Sequence, residues 1–322
     1  MSALKILNFV HVNLKGFKMM YTIGEVLIDL IAREEGDLGN VRVFEKHPGG
    51  APANVAVGLS RLGIRPALIS KVGDDPFGDF LVEKLKEEGV ETKFIVKDKE
   101  RHTGVVFVQL IGAKPQFILY DGVAYFNLKE EDIDWSFLDN AELLHFGSVL
   151  LAREPARSTL FKILKRARNV IVSYDVNIRE DLWRGKEDEM TDYINKAIDF
   201  ANIVKVSEEE FKYIREVEDK LLIITRGERG CTIIWENMKV EVPTFKVTPV
   251  DTTGAGDAFM AGFLASLNYM GKLENFTFSR DELIEAGKFA NLVASLSTTK
   301  RGAWSAPTLE EVKKHGSFSF LP

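Results

Sequence analysis

The segment with the most distinctive chemistry is Asp251-Thr-Thr-Gly-Ala-Gly-Asp257. Apolar residues follow it at helical spacing over 259–267, so the pattern predicts a loop that enters the N-terminus of a helix. The first amides of a helix lack partners within it and lie at the positive end of its dipole, where glycines allow close approach of an anion. Asp257 would be a carboxylate beside that anion. The candidate phosphate-binding amides are those of Gly254, Ala255 and Gly256.

Three other interpretations compete for these glycines. A dinucleotide-binding fingerprint would need a third glycine and would bring pyrophosphate to the position of Asp257. A Walker A loop is absent, because no G-x-x-x-x-G-K-[ST] pattern occurs in the sequence. A helix cap with a tight turn requires only the glycines, so it stays open on this segment alone.

A second motif, His47-Pro-Gly-Gly-Ala-Pro-Ala-Asn54, predicts another loop that enters a helix. Gly49 and Gly50 permit close backbone approach, and a proline suits the first helical turn that follows. Asn54 would then lie on that first turn, with donors and an acceptor directed over the glycines. Upstream, the pattern over 21–30 predicts one buried strand that ends at Asp29, where a carboxylate can bind a hydroxyl. A solvated aspartate at a strand end is the alternative.

The nine residues Asp251–Phe259 resemble the C-terminal signature of the ribokinase-like (PfkB) sugar kinases, and the 47–63 segment resembles the N-terminal one. The resemblance extends over about residues 20–314. It implies an α/β fold of three layers, with a mostly parallel central sheet and a small β-sheet lid that covers the sugar. It also implies a single kinase domain over 20–322, with lid strands from about 31–47 and 93–120. Residues 1–19 would be an N-terminal extension.

The resemblance also implies how the sugar is held and phosphorylated. Asp257 would accept the proton of a primary hydroxyl while the amides of residues 254–256 stabilise the transferring phosphoryl group. The sugar itself would be held by Asp29, Gly49, Gly50 and Asn54. Asp175-Val-Asn-Ile-Arg179 resembles a segment of fructokinases in which the arginine contacts substrate or phosphate. A surface arginine is the alternative for Arg179.

Further positions are implied to bind nucleotide and metal. Glu210 stands where the family places a glutamate that arranges magnesium-bound water, with Ser207 in place of the family's asparagine, although acids also stabilise a helix start. Asn291 would face the adenine. Residues 225–230 would form a nucleotide loop, although a plain β-turn would use the same two glycines, Gly227 and Gly230. The implied nucleotide-binding positions are Ser207, Thr225, Gly227, Gly230, Gly254, Gly256 and Asn291. The implied metal positions are Glu210, Asp251, Thr253, Ser297, Lys300, Gly302 and Ala306. In the loop near the end of the chain, backbone carbonyls would bind K⁺.

Composition limits the class of protein. The 322 residues are 45% hydrophobic and 28% charged, as in globular proteins. A formal net charge of −6 without a basic block argues against a nucleic-acid partner. Cys231 is the only cysteine, which fits a reducing cytoplasm, and no apolar run approaches the roughly 20 residues of a membrane span. These features predict a cytoplasmic protein, and the resemblance implies a small-molecule sugar substrate and a homodimer formed through the lid.

Together these features predict an ATP-dependent sugar kinase that uses Mg²⁺, with K⁺ as a further cation. Fructose is the expected acceptor, from the Gly24–Asp29 opening and the segment that ends at Arg179. A 2-keto-3-deoxygluconate kinase and a ribokinase are the alternatives within the family. From other classes, a catalytically idle sugar-binding regulator and an NAD-binding oxidoreductase stay open, although an intact Asp257 argues against the idle regulator.

Overall fold

The computed structural model describes residues 18–34, 36–111 and 114–321, so the expected extension at 1–19 lies almost entirely outside it. Apolar runs rich in Val, Ile and Leu form the strands, and amphipathic runs form the helices. The strands are β1 (Met19–Ile23), β2 (Leu27–Ala32), β3 (Phe44–Gly49), β4 (Pro66–Gly73), β5 (Ile95–Asp98), β6 (Val105–Ile111), β7 (Lys114–Leu119), β8 (Ala141–Gly147), β9 (Ile171–Asp175), β10 (Ile203–Ser207), β11 (Leu221–Thr225), β12 (Cys231–Trp235) and β13 (Met238–Val242). The α-helices are α1 (Ala51–Arg61), α2 (Pro76–Glu87), α3 (Ala156–Arg166), α4 (Glu187–Ile198), α5 (Ala255–Tyr269), α6 (Arg280–Ser297) and α7 (Leu309–His315).

The main sheet has nine strands in the spatial order β13-β12-β11-β10-β9-β8-β1-β4-β5. All neighbouring strands from β11 across to β5 pair in parallel. At the other edge, β12 pairs antiparallel with both β11 and β13. Helices cover both faces. One face packs on α1, α5 and α6, and the other packs on α3 and α4. The expected three-layer α/β fold with a mostly parallel sheet is confirmed.

A second sheet of four strands, in the order β3-β2-β6-β7, forms the lid. The segment 21–30, expected to be one strand, is in fact two strands in two different sheets. The break comes at Gly24, whose φ is 151° and whose hypothetical Cβ would lie only 2.4 Å from Pro52 Cγ. Asp29 therefore lies within lid strand β2, and the prediction that it ends a strand of the main sheet is wrong.

The expected lid boundaries need one more correction. The segment 93–98 was expected to belong to the lid, but β5 pairs in parallel with β4 at the edge of the main sheet. Strands β6 and β7 of the lid form an antiparallel hairpin, with Lys114 and Pro115 at the start of β7. Strands β12 and β13 were not predicted. Within the described residues, no helix is both long and apolar enough to cross a membrane.

Candidate active site

The lid and the carboxyl ends of the main-sheet strands enclose a cavity of about 170 Å³. Its charged and polar lining includes Glu25, Asp29, Asn54, Arg179 and Asp257, which come from four separate segments of the chain. Binding sites for drug-sized ligands typically measure about 300–1,000 Å³, so this cavity suits a smaller and more polar molecule. The structure thus brings together the residues expected to bind a sugar.

Asp257 lies in the first turn of α5, as the sequence predicted. Gly254 caps this helix with a left-handed φ of 76°, and a Cβ there would lie 2.8 Å from the carbonyl oxygen of Ala303, so glycine is required. The amide of Ala255 donates to the Thr252 carbonyl at 3.2 Å, a turn bond with which an anion would compete. The helix N-terminus therefore faces the cavity beside a carboxylate.

Two asparagines orient the Asp257 carboxylate. Asn54 Nδ2 donates to Oδ2 at 2.7 Å, and Asn177 Nδ2 donates to Oδ1 at 3.4 Å. Burial raises the pKa of Asp257, while the Asn54 hydrogen bond and the charges of Lys205 and Arg179 oppose that rise. The result is a fixed carboxylate that is a stronger base than an exposed aspartate.

The Gly49-Gly50 pair makes room for two carboxyl-bearing residues. A Cβ on Gly49 would lie 2.0 Å from Asp29 Oδ2, and a Cβ on Gly50 would lie 2.4 Å from the Glu25 carbonyl oxygen. Burial raises the pKa of Asp29 to about 7, although the charge of Arg179 lowers it. Gly49 therefore leaves room for the Asp29 carboxylate between the paired strands β2 and β3, and Gly50 lets the segment just before β2 approach the start of α1 closely.

Arg179 follows β9 and lines the cavity. Its NH1 donates to the side-chain oxygen of Asn177 and, at 3.3 Å, to the carbonyls of Asn177 and Ile178. Asn177, with a positive φ of 33°, therefore links the guanidinium to Asp257. Arg179 is thus the cationic group among the described lining residues, which also include the carboxylates of Glu25, Asp29 and Asp257.

Two features of the site were missed by sequence reasoning. Glu25 is 3% exposed, and its Oε1 accepts a hydrogen bond from the Ala51 amide at 3.0 Å. Lys205 forms a buried ion pair with both oxygens of Asp175, at 2.8 and 3.0 Å, and its Nζ lies 3.1 Å from the Cβ that Gly256 would carry. The alternation of residues 25, 27 and 29, which leads into β2, could have revealed Glu25. No local sequence pattern predicts the contact of Lys205 with Gly256 at the start of α5.

Ser207 and Glu210 bond to each other and to the loop after β9. The Glu210 carboxylate accepts the amides of Ser207 at 2.8 Å and Ile178 at 2.6 Å, and Ser207 Oγ accepts the Glu210 amide at 3.2 Å. In the part of the chain that the structure describes, no group of three or more His, Cys, Asp or Glu residues could hold a metal ion. Glu210 therefore does not belong to a preformed cluster of protein ligands.

Some of the remaining residues expected to bind nucleotide have structural roles. Thr225 ends β11, and Gly227 and Gly230 form the turn into β12, with φ values of 55° and 85°. Asn291 has a different task from the expected contact with adenine. Its amide donates to the carbonyls of Val242 at 3.0 Å and Pro243 at 3.2 Å, so both of its hydrogens hold the end of β13.

The expected cation positions fall into two groups. Asp251 joins two loops, because its carboxylate accepts the amides of Thr253 and Gly302, both at 2.9 Å. At the other positions, Ser297 Oγ donates to the Ala294 carbonyl and the Lys300 side chain pairs with Glu311, contacts that leave the role of their backbone carbonyls a prediction. The Ala306 carbonyl accepts the Arg61 guanidinium at 3.0 Å. A carbonyl that already serves a guanidinium is a poor ligand for a second cation, which corrects the expectation for Ala306.

Comparisons with known proteins place this geometry in context. Residues 18–309 match the model of the pfkB family of carbohydrate kinases. Sugar kinase PH1459 of Pyrococcus horikoshii is 53% identical over 305 residues, which is 93% of this chain and 96% of that protein. Its structure in complex with ATP superposes with a TM-score of 0.87, covering 94% of this chain and 98% of that one at 52% identity.

Two fructokinases are also similar. Fructokinase-1 of Zea mays is 37% identical over 319 residues, covering 92% of this chain and 97% of that protein. The structure of fructokinase from Vibrio cholerae O395, in its fructose, ADP and calcium ion bound form, has a TM-score of 0.80 at 32% identity. It covers 92% of this chain and 98% of that one.

Proposed function

Because this chain belongs to the pfkB family of carbohydrate kinases, we propose that it transfers the γ-phosphoryl group of ATP to a primary hydroxyl of a neutral sugar, with D-fructose as the preferred acceptor. The observation that carries this proposal is the Asp257 carboxylate, fixed by Asn54 at the N-terminus of α5 and facing the cavity. A base and an anion-binding helix end are thereby adjacent, as transfer of a phosphoryl group to a hydroxyl requires.

In the proposed mechanism, Asp257 accepts the proton of the attacking hydroxyl. Its raised pKa favours this task, because proton transfer is most efficient when the pKa of the base approaches the working pH. The N-terminal amides of α5, with Gly254 and Gly256 giving close access, stabilise negative charge on the phosphoryl oxygens. The lid sheet excludes water, which prevents transfer of the phosphoryl group to water instead of the sugar.

The charge balance of the cavity supports a neutral sugar. Glu25, Asp29 and Asp257 are acceptors for hydroxyl hydrogens, and Arg179 is the cationic group among these lining residues. A sugar acid would place its carboxylate against three others. This favours fructose over 2-keto-3-deoxygluconate, and the fructose-bound relative from Vibrio cholerae supports the same choice.

ATP is the proposed donor, as in the solved complex of the related Pyrococcus horikoshii kinase. Its phosphates would lie at the N-terminus of α5. The nucleotide would follow the ends of β10 and β11, where Ser207, Thr225 and the turn glycines Gly227 and Gly230 lie. Ligands of parallel α/β sheets bind at this carboxyl edge of the strands, which supports the assignment.

The oxygen-rich groups present fit a Mg²⁺ ion that is held mainly by phosphates and water. Mg²⁺ usually keeps several waters and takes few protein carboxylates, so the absence of a carboxylate cluster from the described residues is compatible with it. When bound, Mg²⁺ would neutralise charge on the phosphates, and Glu210 would position its waters. We place K⁺, as a further cation, against the joined loops of Asp251, Thr253 and Gly302.

The lid also supports a homodimer. On the face of the lid away from the cavity, the rings of Phe44, Phe107 and Tyr120 stack edge to face, and Ile118 and Tyr120 are 43% and 54% exposed. A second copy of the lid is the proposed cover for this apolar face.

Light scattering during size-exclusion chromatography should give twice the chain mass for the wild type and the mass of a single chain for Phe107→Glu. A wild-type protein that elutes as a monomer would contradict the dimer.

An ADP-release screen tests the proposed function. Fructose, ribose, adenosine and 2-keto-3-deoxygluconate are each supplied with ATP and Mg²⁺, and the product is identified by NMR. The proposal predicts stoichiometric ADP and fructose 6-phosphate. ADP release with none of these acceptors, combined with measurable fructose binding, would instead indicate a sugar-binding regulator.

A further inference from the structure

Glu25 is a buried carboxylate in the substrate cavity, and the proposed function does not say which hydroxyl of the sugar it would contact. It is 3% exposed, and it lines the same cavity as Asp29, Asn54 and Asp257. Oε1 accepts the amide of Ala51, the first residue of α1, at 3.0 Å. Burial raises the pKa of this carboxyl to about 7, so keeping it in the cavity costs stability unless a ligand hydrogen-bonds to it.

The backbone aims Glu25 at the same space as Asp29. Residues 25, 27 and 29 all line the cavity, as expected when alternate residues of an extended segment share one face. The carbonyl of Glu25 packs where a Cβ of Gly50 would stand, which fixes this segment against the start of α1. Glu25 and Asp29 are thus two acceptors on one rigid wall.

A second observation points to a ligand in this space. Asn54 Oδ1 is buried and has no hydrogen-bond partner among the described residues, although Nδ2 of the same amide is bonded to Asp257. An unpaired buried acceptor costs about 1–3 kcal/mol unless a ligand donor satisfies it. The cavity therefore presents Asn54, Asp29 and Glu25 as acceptors to a molecule that carries several donors.

We infer that Glu25 is a specificity-determining residue that accepts a hydrogen bond from one hydroxyl of the sugar other than the reacting one, and that it excludes acidic sugars by charge. This inference rests on the proposed function, since it names a further contact of the same substrate. The bond to Ala51 holds the carboxyl in place, and the sugar hydroxyl is the second donor. A sugar acid would meet two carboxylates on this wall once both are ionised, above about pH 7.

The test pairs variants of Glu25 with fructose analogues that each lack one hydroxyl: 1-deoxy-, 3-deoxy- and 4-deoxyfructose, and 2,5-anhydromannitol. Binding is measured by calorimetry without ATP, so that it does not depend on turnover. Glu25→Gln keeps an oxygen for the Ala51 amide, and Glu25→Ala removes the group. Asp98→Asn is the matched control. Asp98 is also a buried carboxylate, but it accepts a hydrogen bond from Asn127 Nδ2 and does not line the cavity.

For the wild type, one analogue should bind about tenfold or more weaker than fructose, because a hydrogen bond to a charged group is lost. That penalty should shrink in Glu25→Gln and vanish in Glu25→Ala, while the penalties for the other analogues stay unchanged. Glu25→Gln should also narrow the preference for fructose over 2-keto-3-deoxygluconate. Asp98→Asn should keep the wild-type pattern.

Equal penalties in the wild type and both Glu25 variants, for every analogue, would overturn the inference. A uniform loss of affinity with a lowered melting temperature would do so too, because it would reduce Glu25 to a support for α1. Failure of the proposed function is a separate result. It would appear as absent ADP release by a wild type that still binds fructose.

Discussion

Asn54 Nδ2 donates a 2.7 Å hydrogen bond to Asp257 Oδ2, although 203 residues separate the two in sequence. The bond joins the first turns of α1 and α5. These helices pack without bulky side chains between them, since a Cβ on Gly58 would lie 2.6 Å from that of Ala261. The residue expected to bind sugar thus also orients the expected base.

Replacing Asn54 by Ala should raise the KM for sugar much more than the KM for ATP. The variant loses an acceptor in the cavity and a donor to Asp257, so kcat should fall as well. Steady-state kinetics with each substrate varied in turn measures the two KM values. Asn195→Ala serves as control, because Asn195 bonds only to backbone groups of Thr191, Tyr213 and Arg215 among its described contacts. An unchanged sugar KM in Asn54→Ala would remove Asn54 from the site.

Gly49→Ala should weaken sugar binding while the protein still folds. The backbone of Gly49 does not have a positive φ, but the new Cβ would lie 2.0 Å from Asp29 Oδ2 and would displace that carboxylate. We expect the sugar KM to rise about tenfold or more, as for the loss of a charged hydrogen bond. Gly39→Ala is the matched control, since its nearest neighbour would be 3.9 Å away. Equal sugar KM values in the two variants would contradict this role of Gly49.

Asp29 should make the sugar-free protein less stable as pH rises. Its pKa is about 7 when folded and 3.8 as a free side chain, so between these values the unfolded chain binds fewer protons than the folded one. The stability that protonated Asp29 contributes is complete below about pH 4 and is lost as pH rises through about 7. Relative to wild type, Asp29→Asn should therefore gain stability across this range, by up to about 4 kcal/mol.

Chemical denaturation at a series of pH values measures this difference. Asp98→Asn is the control of opposite sign, because hydrogen bonds from Asn127 and backbone amides outweigh burial and lower the pKa of Asp98. Its difference from wild type should stay flat above about pH 5. A flat difference for Asp29→Asn as well would show that its carboxyl is not protonated in the folded protein near neutrality.

Fructose should exceed each other sugar in the screen by about tenfold or more in kcat/KM, a difference of roughly 1.4 kcal/mol that a few hydroxyl contacts can supply. Ribose is the control for ring size, and 2-keto-3-deoxygluconate is the control for charge. If the sugar acid is the better substrate, the fructose assignment is wrong and Arg179 pairs with its carboxylate.

Sequence reasoning succeeded for structural features that are determined by residues adjacent in sequence. The entry of a loop into α5 at Gly254 and Asp257 depends on helix-start residues that are adjacent in sequence, and the same holds for α1 at Gly50 and Asn54. It failed where the determinant is a tertiary contact. Gly24 lies inside an apolar run, and only the tertiary contact with Pro52 of α1, which leaves no room for a Cβ, shows why glycine stands where the strand breaks.

Similar limits explain the other errors. The apolar pattern of β5 is the same whether it pairs with β4 or with the lid, because the choice of partner is made by chain topology. The hydrogen bonds of Asn291 to Val242 and Pro243 were missed because they depend on β13, which was not predicted. The ion pair between Lys205 and Asp175 was missed because it requires the register of β9 and β10.

The most direct test of the account is kcat together with melting temperature for Asp257→Asn. Asparagine keeps the shape and caps a helix about as well as aspartate, so folding should survive, but it cannot accept the hydroxyl proton. The account predicts a drop in kcat of about 10²–10⁴-fold, with both substrates still bound. Asp75→Asn, at the cap of α2, is the matched control and should keep kcat within a fewfold. A stable Asp257→Asn protein with near-normal kcat would contradict the assignment of Asp257 as the base.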